Sequence, residues 1–337
     1  MKQDYDILIV GGGMVGASLA TALRDLPLRI GIIEKAPYRS TGQPSFNDRT
    51  IALTYGTSLI FKSMGIWGAV ADVASPIRRI HISDKGHFGA TRLDCQQMHT
   101  DALGYVVESR ALGQVLLQQL EQNDQVDFIC PASVEAIDIT AEQAIVTVNI
   151  DGQSQSLSAG LVIAADGTQS KIRECLGMQT TTWEYGQTAL ISNVATEQSH
   201  QGVAYERFTD SGPLALLPMR PIVEAGEAVS RCSLVWTMRD DDVDAYMAMS
   251  DDEFLAHLQQ RFGRRLGVFT QVGQRSTYPL KMVRVQQHVQ QHVALIGNAA
   301  HTLHPVAGQG YNLGIRDVAV LSEVLHEAYA KQEALGS

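Results

Sequence analysis

The 337-residue chain is poor in the features that build several classes of protein. Its four cysteines, Cys95, Cys130, Cys175 and Cys232, are widely spaced, with no Cys-x-x-Cys pair and no histidine at ligand spacing. That argues against a zinc site and a disulfide framework and fits a reducing compartment, so no metal is expected. Positive charge is also short: 26 Lys and Arg against 36 Asp and Glu leave a net charge of −10. Such a balance repels a phosphate backbone, and no basic patch interleaved with aromatics offsets it, so no nucleic-acid partner is expected. Long apolar runs are missing too. The stretch from Ile7 to Leu23 is broken by Gly11-Gly12-Gly13 and preceded by Asp4 and Asp6, the wrong charge for a signal peptide. Nothing else has the apolar length of a membrane span. The expectation is a soluble, cytoplasmic protein.

The remaining composition is that of a globular chain. Hydrophobic residues make up 45% and charged residues 18%, enough apolar surface for a large core, and disorder is excluded. At ~150 residues per domain the length suggests two domains.

Residues 5–34 read as one βαβ unit. An apolar strand at Tyr5–Val10 leads to a tight turn at Gly11–Gly16. Val15, Leu19, Ala22 and Leu23 then recur at helical spacing. Pro27 breaks the helix and Leu28–Ile33 forms a second strand ending at Glu34. Loose alternation over Ile77–Leu93 around Asp84-Lys85-Gly86 suggests a hairpin, and Leu112, Val115, Leu116 and Leu120 mark a helix before a strand at Val126–Cys130. Asp151-Gly152 between Ala144–Ile150 and Ser154–Ser158 reads as a hairpin turn. Leu161–Ala165 is a separate buried strand running into Asp166-Gly167.

From Thr188 to Thr237 the texture changes to alternating strands, with Arg220–Val229 as a loop, so a second, antiparallel sheet is expected. Ser250 and Glu253 form a capping box opening a helix through Phe262. Val293–Ile296 is a further buried strand, and a last helix runs from about Gly310 to Ala330. Nucleotide-binding segments thus bracket the second sheet. The expected division is 1–75, 96–180 and 285–337 for the nucleotide domain, and 76–95 and 181–284 for the sheet domain.

Gly11-x-Gly13-x-x-Gly16 lies between strand and helix. The first glycine permits the tight turn, the second lets a diphosphate approach the backbone, and the third lets helix and strand pack. The diphosphate then faces unpaired N–H groups and the positive end of the helix dipole. Glu34, eighteen residues beyond Gly16, suits a carboxylate accepting from ribose hydroxyls. Two further stretches, LVIAADGTQSKIR (161–173) and ALIGNAAHTLHPVAGQGYNLG (294–314), accompany this turn.

With the first turn, these stretches resemble the three fingerprints of the flavoprotein aromatic hydroxylases, the family typified by para-hydroxybenzoate hydroxylase. HPVAGQGYNLGIRDV (304–318), ERFTDSGPLALLPM (206–219) and FNDRTIALT (46–54) are further similar to its ubiquinone-biosynthesis members. The resemblance covers essentially the whole chain. It implies an α/β fold, a Rossmann-like FAD-binding domain with an inserted antiparallel-sheet substrate domain. The cofactor would be FAD, with NAD(P)H as electron donor.

The resemblance assigns FAD-binding positions to Gly11, Gly13, Met14, Val15, Gly16, Glu34 and Lys35. Arg49 and Arg110 would lie near the phosphates and flavin-facing loops, although ordinary salt bridges would serve equally well. Asp166-Gly167 would serve FAD and the pyridine nucleotide, and Gly297-Asn298 the ribityl chain. Gly308, Gly310 and Asn312 would present backbone to the flavin ring. The family usually has Asp where this chain has Asn298. An amide oxygen still accepts a hydroxyl, at a cost of ~1 kcal/mol.

The implied reaction inserts one oxygen atom into a polyprenylated phenol of the 2-octaprenyl-6-methoxyphenol kind. No catalytic base is assigned. His301 is read as satisfying a buried backbone group and His304 as preceding the turn at Pro305. Asp240, Asp241, Asp242 and Asp244 lack calcium-loop spacing and read as a solvated helix approach. Phe208, Met219 and Trp236 are core by default, or line a prenyl-ring pocket. A hydrophobic prenylated phenol is the expected partner, together with peripheral contact with a membrane or other ubiquinone-pathway proteins. A prenyl-lipid flavin reductase and a non-catalytic FAD-fold binding module remain as alternatives. The last helix carries an apolar stripe, Ile315, Val318, Leu321, Val324 and Leu325, that needs a cover. Similar hydroxylases continue beyond it, so a shortened chain holding FAD weakly is also expected.

Overall fold

The computed structural model describes residues 3–36, 49–224, 226–303 and 308–336. His304 and Pro305, and positions 46–48 of the FNDRTIALT stretch, lie outside them.

Two large sheets organise the molecule. The first has a parallel centre in the order Val293–Leu295, Gln153–Ala164, Tyr5–Val10, Ile30–Ile33, Val126–Ile129. Ile7, Leu8 and Ile9 are all fully buried. A strand covered on both faces needs this uninterrupted apolar run, and the pattern identifies a parallel sheet. The helices Met14–Ala22 and Ser109–Glu121 pack on one face through Leu19, Leu112 and Leu116.

Gln153–Ala164 is one strand where the sequence suggests two. Its first half pairs antiparallel with Ala144–Ile150 and its second half parallel with Tyr5–Val10. The change from polar to apolar residues near Ala159 marks a change of burial, not a break in the backbone. Asp151 and Gly152 both adopt positive φ, +51° and +82°, as expected for a two-residue hairpin turn.

The second sheet has ten strands, chiefly antiparallel. Its strands include Thr180–Thr196, Glu227–Arg239, Gly212–Pro218 and Val203–Thr209, and it ends on the hairpin Arg79–Asp84/Ala90–Asp94. The expected loop at Arg220–Val229 is instead largely paired, Ile222–Glu224 against Glu227–Val229. Alternating residues of this sheet, Leu190, Leu216, Leu234 and Trp236, pack against Phe254, Leu258 and Phe262 of the helix Asp251–Phe262. That helix opens with the expected capping box. Asp240, Asp241 and Asp242 of the acidic cluster form the first turn of the helix Asp240–Ala248, where carboxylates favour the positive end of the dipole.

A three-stranded sheet, Thr50–Thr54, Gly104–Glu108 and Ser75–Ile77, lies between the two. The long helix Gln309–Ala330 packs against Met14–Ala22 and Tyr55–Ser63. Ile315, Val318 and Leu325 of its stripe are buried and Leu321 is half-buried, while Val324 is exposed. No helix among the described residues is long and apolar enough to cross a membrane.

Candidate active site

The three glycine-containing stretches, far apart in sequence, meet at the carboxyl ends of the parallel strands. Gly11 has φ +106°, and a Cβ there would lie 2.5 Å from the Ala165 carbonyl oxygen, so the first turn rests directly on the approach to Asp166. A Cβ on Gly16 would overlap the Gly11 carbonyl. Val15 packs against the Cα positions of Gly297 and Gly314, where an added Cβ would sit 3.2 Å and 3.0 Å from its methyls. Gly13 differs: nothing in the protein lies within 4 Å of its Cβ position. The fold therefore has no steric need for glycine there, whereas a group pressed against the backbone would.

Glu34 is not merely solvated. One carboxylate oxygen accepts from Gly12 N–H at 2.7 Å and the other from Ala36 N–H at 2.7 Å. A carboxylate has about four acceptor sites, so it keeps capacity for a ribose hydroxyl. Lys35, beside it, is exposed, and Met14 opens the helix.

Asp166 accepts from the Lys171 and Ile172 N–H groups through Oδ2, capping a short helix. Its Oδ1 is buried with no donor among the described residues. Burial pushes this carboxyl above its ordinary pKa despite those hydrogen bonds. Such an acceptor suits a hydroxyl donor. At Gly167, φ is +83° and the Cβ position is open.

Gly297 donates its N–H to Asp317 Oδ2 at 2.8 Å, and His301 Nε2 meets the same oxygen at 2.8 Å. His301 thus pairs with a carboxylate rather than a backbone group, which corrects the sequence reading. That hydrogen bond holds the imidazole above its usual pKa. Asn298, next to Gly297, is exposed.

Asn312 is fully buried, and its amide is saturated. Oδ1 accepts from Thr54 N–H and the Thr57 hydroxyl, while Nδ2 donates to the carbonyls of Ala52 and Gly308. Its side chain is turned into the protein, so it positions neighbouring backbone. Gly308, in the left-handed conformation, lies against Ala52, and the Cβ position of Gly310 is open.

Of the two arginines, Arg49 lies 4.8 Å over the Tyr278 ring, facing the ten-stranded sheet. Arg110 is exposed in the first turn of Ser109–Glu121. Asp317, Thr54 and Thr57 are the site residues that sequence reasoning missed; Asp317 sits in the quoted 304–318 stretch without a glycine beside it to signal a role.

A parallel sheet whose three loops converge in this way, joined to a large antiparallel sheet, defines the FAD-dependent monooxygenase fold of the para-hydroxybenzoate hydroxylase type. Solved p-nitrophenol 4-monooxygenase PnpA from Pseudomonas putida superposes with a TM-score of 0.78 at 20% identity, covering 98% of this chain and 82% of that one. The family model described as FAD binding domain matches residues 4–335, and the chain belongs to that family. It is an FAD-dependent hydroxylase. Ubiquinone hydroxylase UbiL of Rhodospirillum rubrum is 36% identical over 323 residues, 95% of this chain and 72% of the relative. The 3-demethoxyubiquinol 3-hydroxylase of Escherichia coli is 32% identical over 340 residues, 100% of this chain and 83% of that protein.

Proposed function

We propose that this protein inserts one oxygen atom into the ring of a polyprenylated phenol in ubiquinone biosynthesis, using FAD, O₂ and NAD(P)H. The observation that carries the reading is the similarity to ubiquinone hydroxylases along almost the whole chain. The convergence of the three loops supports it. The 2-octaprenyl-6-methoxyphenol class remains the proposed substrate. Its prenyl tail favours lipid, so the reading includes peripheral contact with a membrane or with other proteins of the pathway.

In this reading the residues divide the work. The N–H groups of Gly13, Met14 and Val15, at the start of Met14–Ala22, hold the diphosphate, with Gly13 giving room for it. Glu34 accepts from the adenosine ribose while fixing the Gly12 turn. Asp166-Gly167 serves FAD and the pyridine nucleotide, Gly297-Asn298 serves the ribityl chain, and the backbone of Gly308 and Gly310 faces the flavin ring. Bound FAD supplies the activation of O₂ that no side chain can provide. The protein orients the substrate ring and keeps water from the reacting atoms. The proposed division is 1–75, 96–180 and 285–337 for FAD, and 76–95 and 181–284 for substrate.

The test is to incubate FAD-loaded protein with prenylphenols, NAD(P)H and O₂ and to analyse products by mass spectrometry. A product heavier by one oxygen is expected. NAD(P)H consumption that is independent of the phenol, with the ring recovered unchanged, would contradict the reading.

A further inference from the structure

The ten-stranded sheet has a second face, turned away from the helix Asp251–Phe262. Ser233 on this face accepts from the Thr50 hydroxyl at 2.6 Å, Arg231 pairs with Glu108 at 2.9 Å, and Ala204 and Leu217 pack with Ile77 and Val106. This face therefore abuts the strands that lead to the flavin loops. Thr50 touches the sheet while Ala52, two residues or about 7 Å further along the strand, lies against Gly308.

One step beyond that contact, six residues align across six strands: Ile82, Glu206, Ala215, Val235, Ile191 and Ser276. All six are half-buried. Glu206 is the only charged member of the line. Among the described residues nothing donates a hydrogen bond to its carboxylate or forms an ion pair with it. Burial alone raises its pKa. Its strand neighbours Tyr205 and Arg207 point to the opposite face, by strand alternation. On its own face the nearest charged position by register is the exposed Asp84, opposite Phe208, with the Arg231–Glu108 pair and Arg49, over the Tyr278 ring, farther off. Phe208 and Leu93, 45% and 42% exposed, extend the apolar surface to either side of the Glu206–Ile82 row.

A half-buried carboxylate without a donor is costly to hold on an apolar surface. A ligand that is apolar except for one hydroxyl would remove that cost. We propose that Glu206 is a substrate-contacting residue that accepts the hydrogen bond of the phenol hydroxyl, with the ring on the Ala215–Val235–Ile191 line and the tail passing over Phe208. The inference rests on the phenol reading above and adds to it the residue that recognises the hydroxyl.

The experiment compares FAD-loaded wild type, Glu206→Leu and Glu206→Gln, with a geranylated methoxyphenol and its methyl ether as probes. Binding is read from perturbation of the flavin absorption, and flavin content and melting temperature establish that each variant is folded. Wild type is expected to prefer the phenol over the ether about ten-fold or more, Glu206→Leu to bind the two alike, and Glu206→Gln, which keeps an acceptor, to fall between. A phenol-to-ether ratio in Glu206→Leu equal to that of wild type would overturn the role of Glu206 alone. Flavin-loaded wild type that binds neither probe would overturn the phenol reading, and this inference with it.

Discussion

At Gly13 the fold itself asks for nothing: its φ is −65° and no atom approaches its Cβ position within 4 Å. Gly13→Val should therefore leave the flavin-free protein close to wild type in stability while preventing FAD binding. Flavin content after purification, read beside thermal melting, checks this, and normal flavin occupancy in the folded variant would contradict it. Glu34 is different in kind, because it already holds Gly12 and Ala36. Glu34→Ala should weaken FAD by a charge-assisted hydrogen bond, about 1.5–3 kcal/mol, or roughly ten- to hundred-fold. Fluorescence titration measures it; an unchanged dissociation constant would leave Glu34 with only the loop to hold.

Between elements, two hydrogen-bonded contacts tie the last helix to the rest of the site. The Asn312 amide joins Gln309–Ala330 to the strand Thr50–Thr54 and the helix Tyr55–Ser63. Asn312→Ala strands buried donors and acceptors on both sides, and about 2–4 kcal/mol of stability should be lost in denaturant unfolding. The second tie is Asp317, which holds Gly297 and His301. The folded His301 has its pKa raised above the unfolded value of about 6.5. Its ion pair therefore contributes fully below about pH 6.5, and the contribution is lost as pH rises through the folded pKa. In flavin-free protein, the stability gap between wild type and His301→Leu should be widest near pH 6 and close at higher pH. A gap independent of pH in urea titrations would rule this out.

Over the whole molecule, the parts legible in the sequence were those whose physics is local. The first βαβ unit shows because a strand buried on both faces must be apolar throughout and the turn after it needs glycine. The capping box shows because both its members lie within one turn. Gln153–Ala164 reads in the sequence as two strands because burial changes along it, and burial depends on neighbours that pattern alone does not name. Asn312 and Asp317 carry no local mark of being ties between elements, since their partners are up to 260 residues away. Trp236, Met219 and Phe208, grouped together by residue type, separate in the fold. Trp236 packs beneath the helices, Met219 lies in the contact between sheets, and Phe208 is exposed on the face that carries Glu206.

The central claim is that the converging loops hold FAD against a sheet face that receives a prenylated phenol. The most direct measurement is the mass of the ring product formed by FAD-loaded protein with NAD(P)H under ¹⁸O₂. The account predicts one labelled oxygen in the phenol ring. A ring recovered without the label, despite bound FAD and bound phenol, would contradict it.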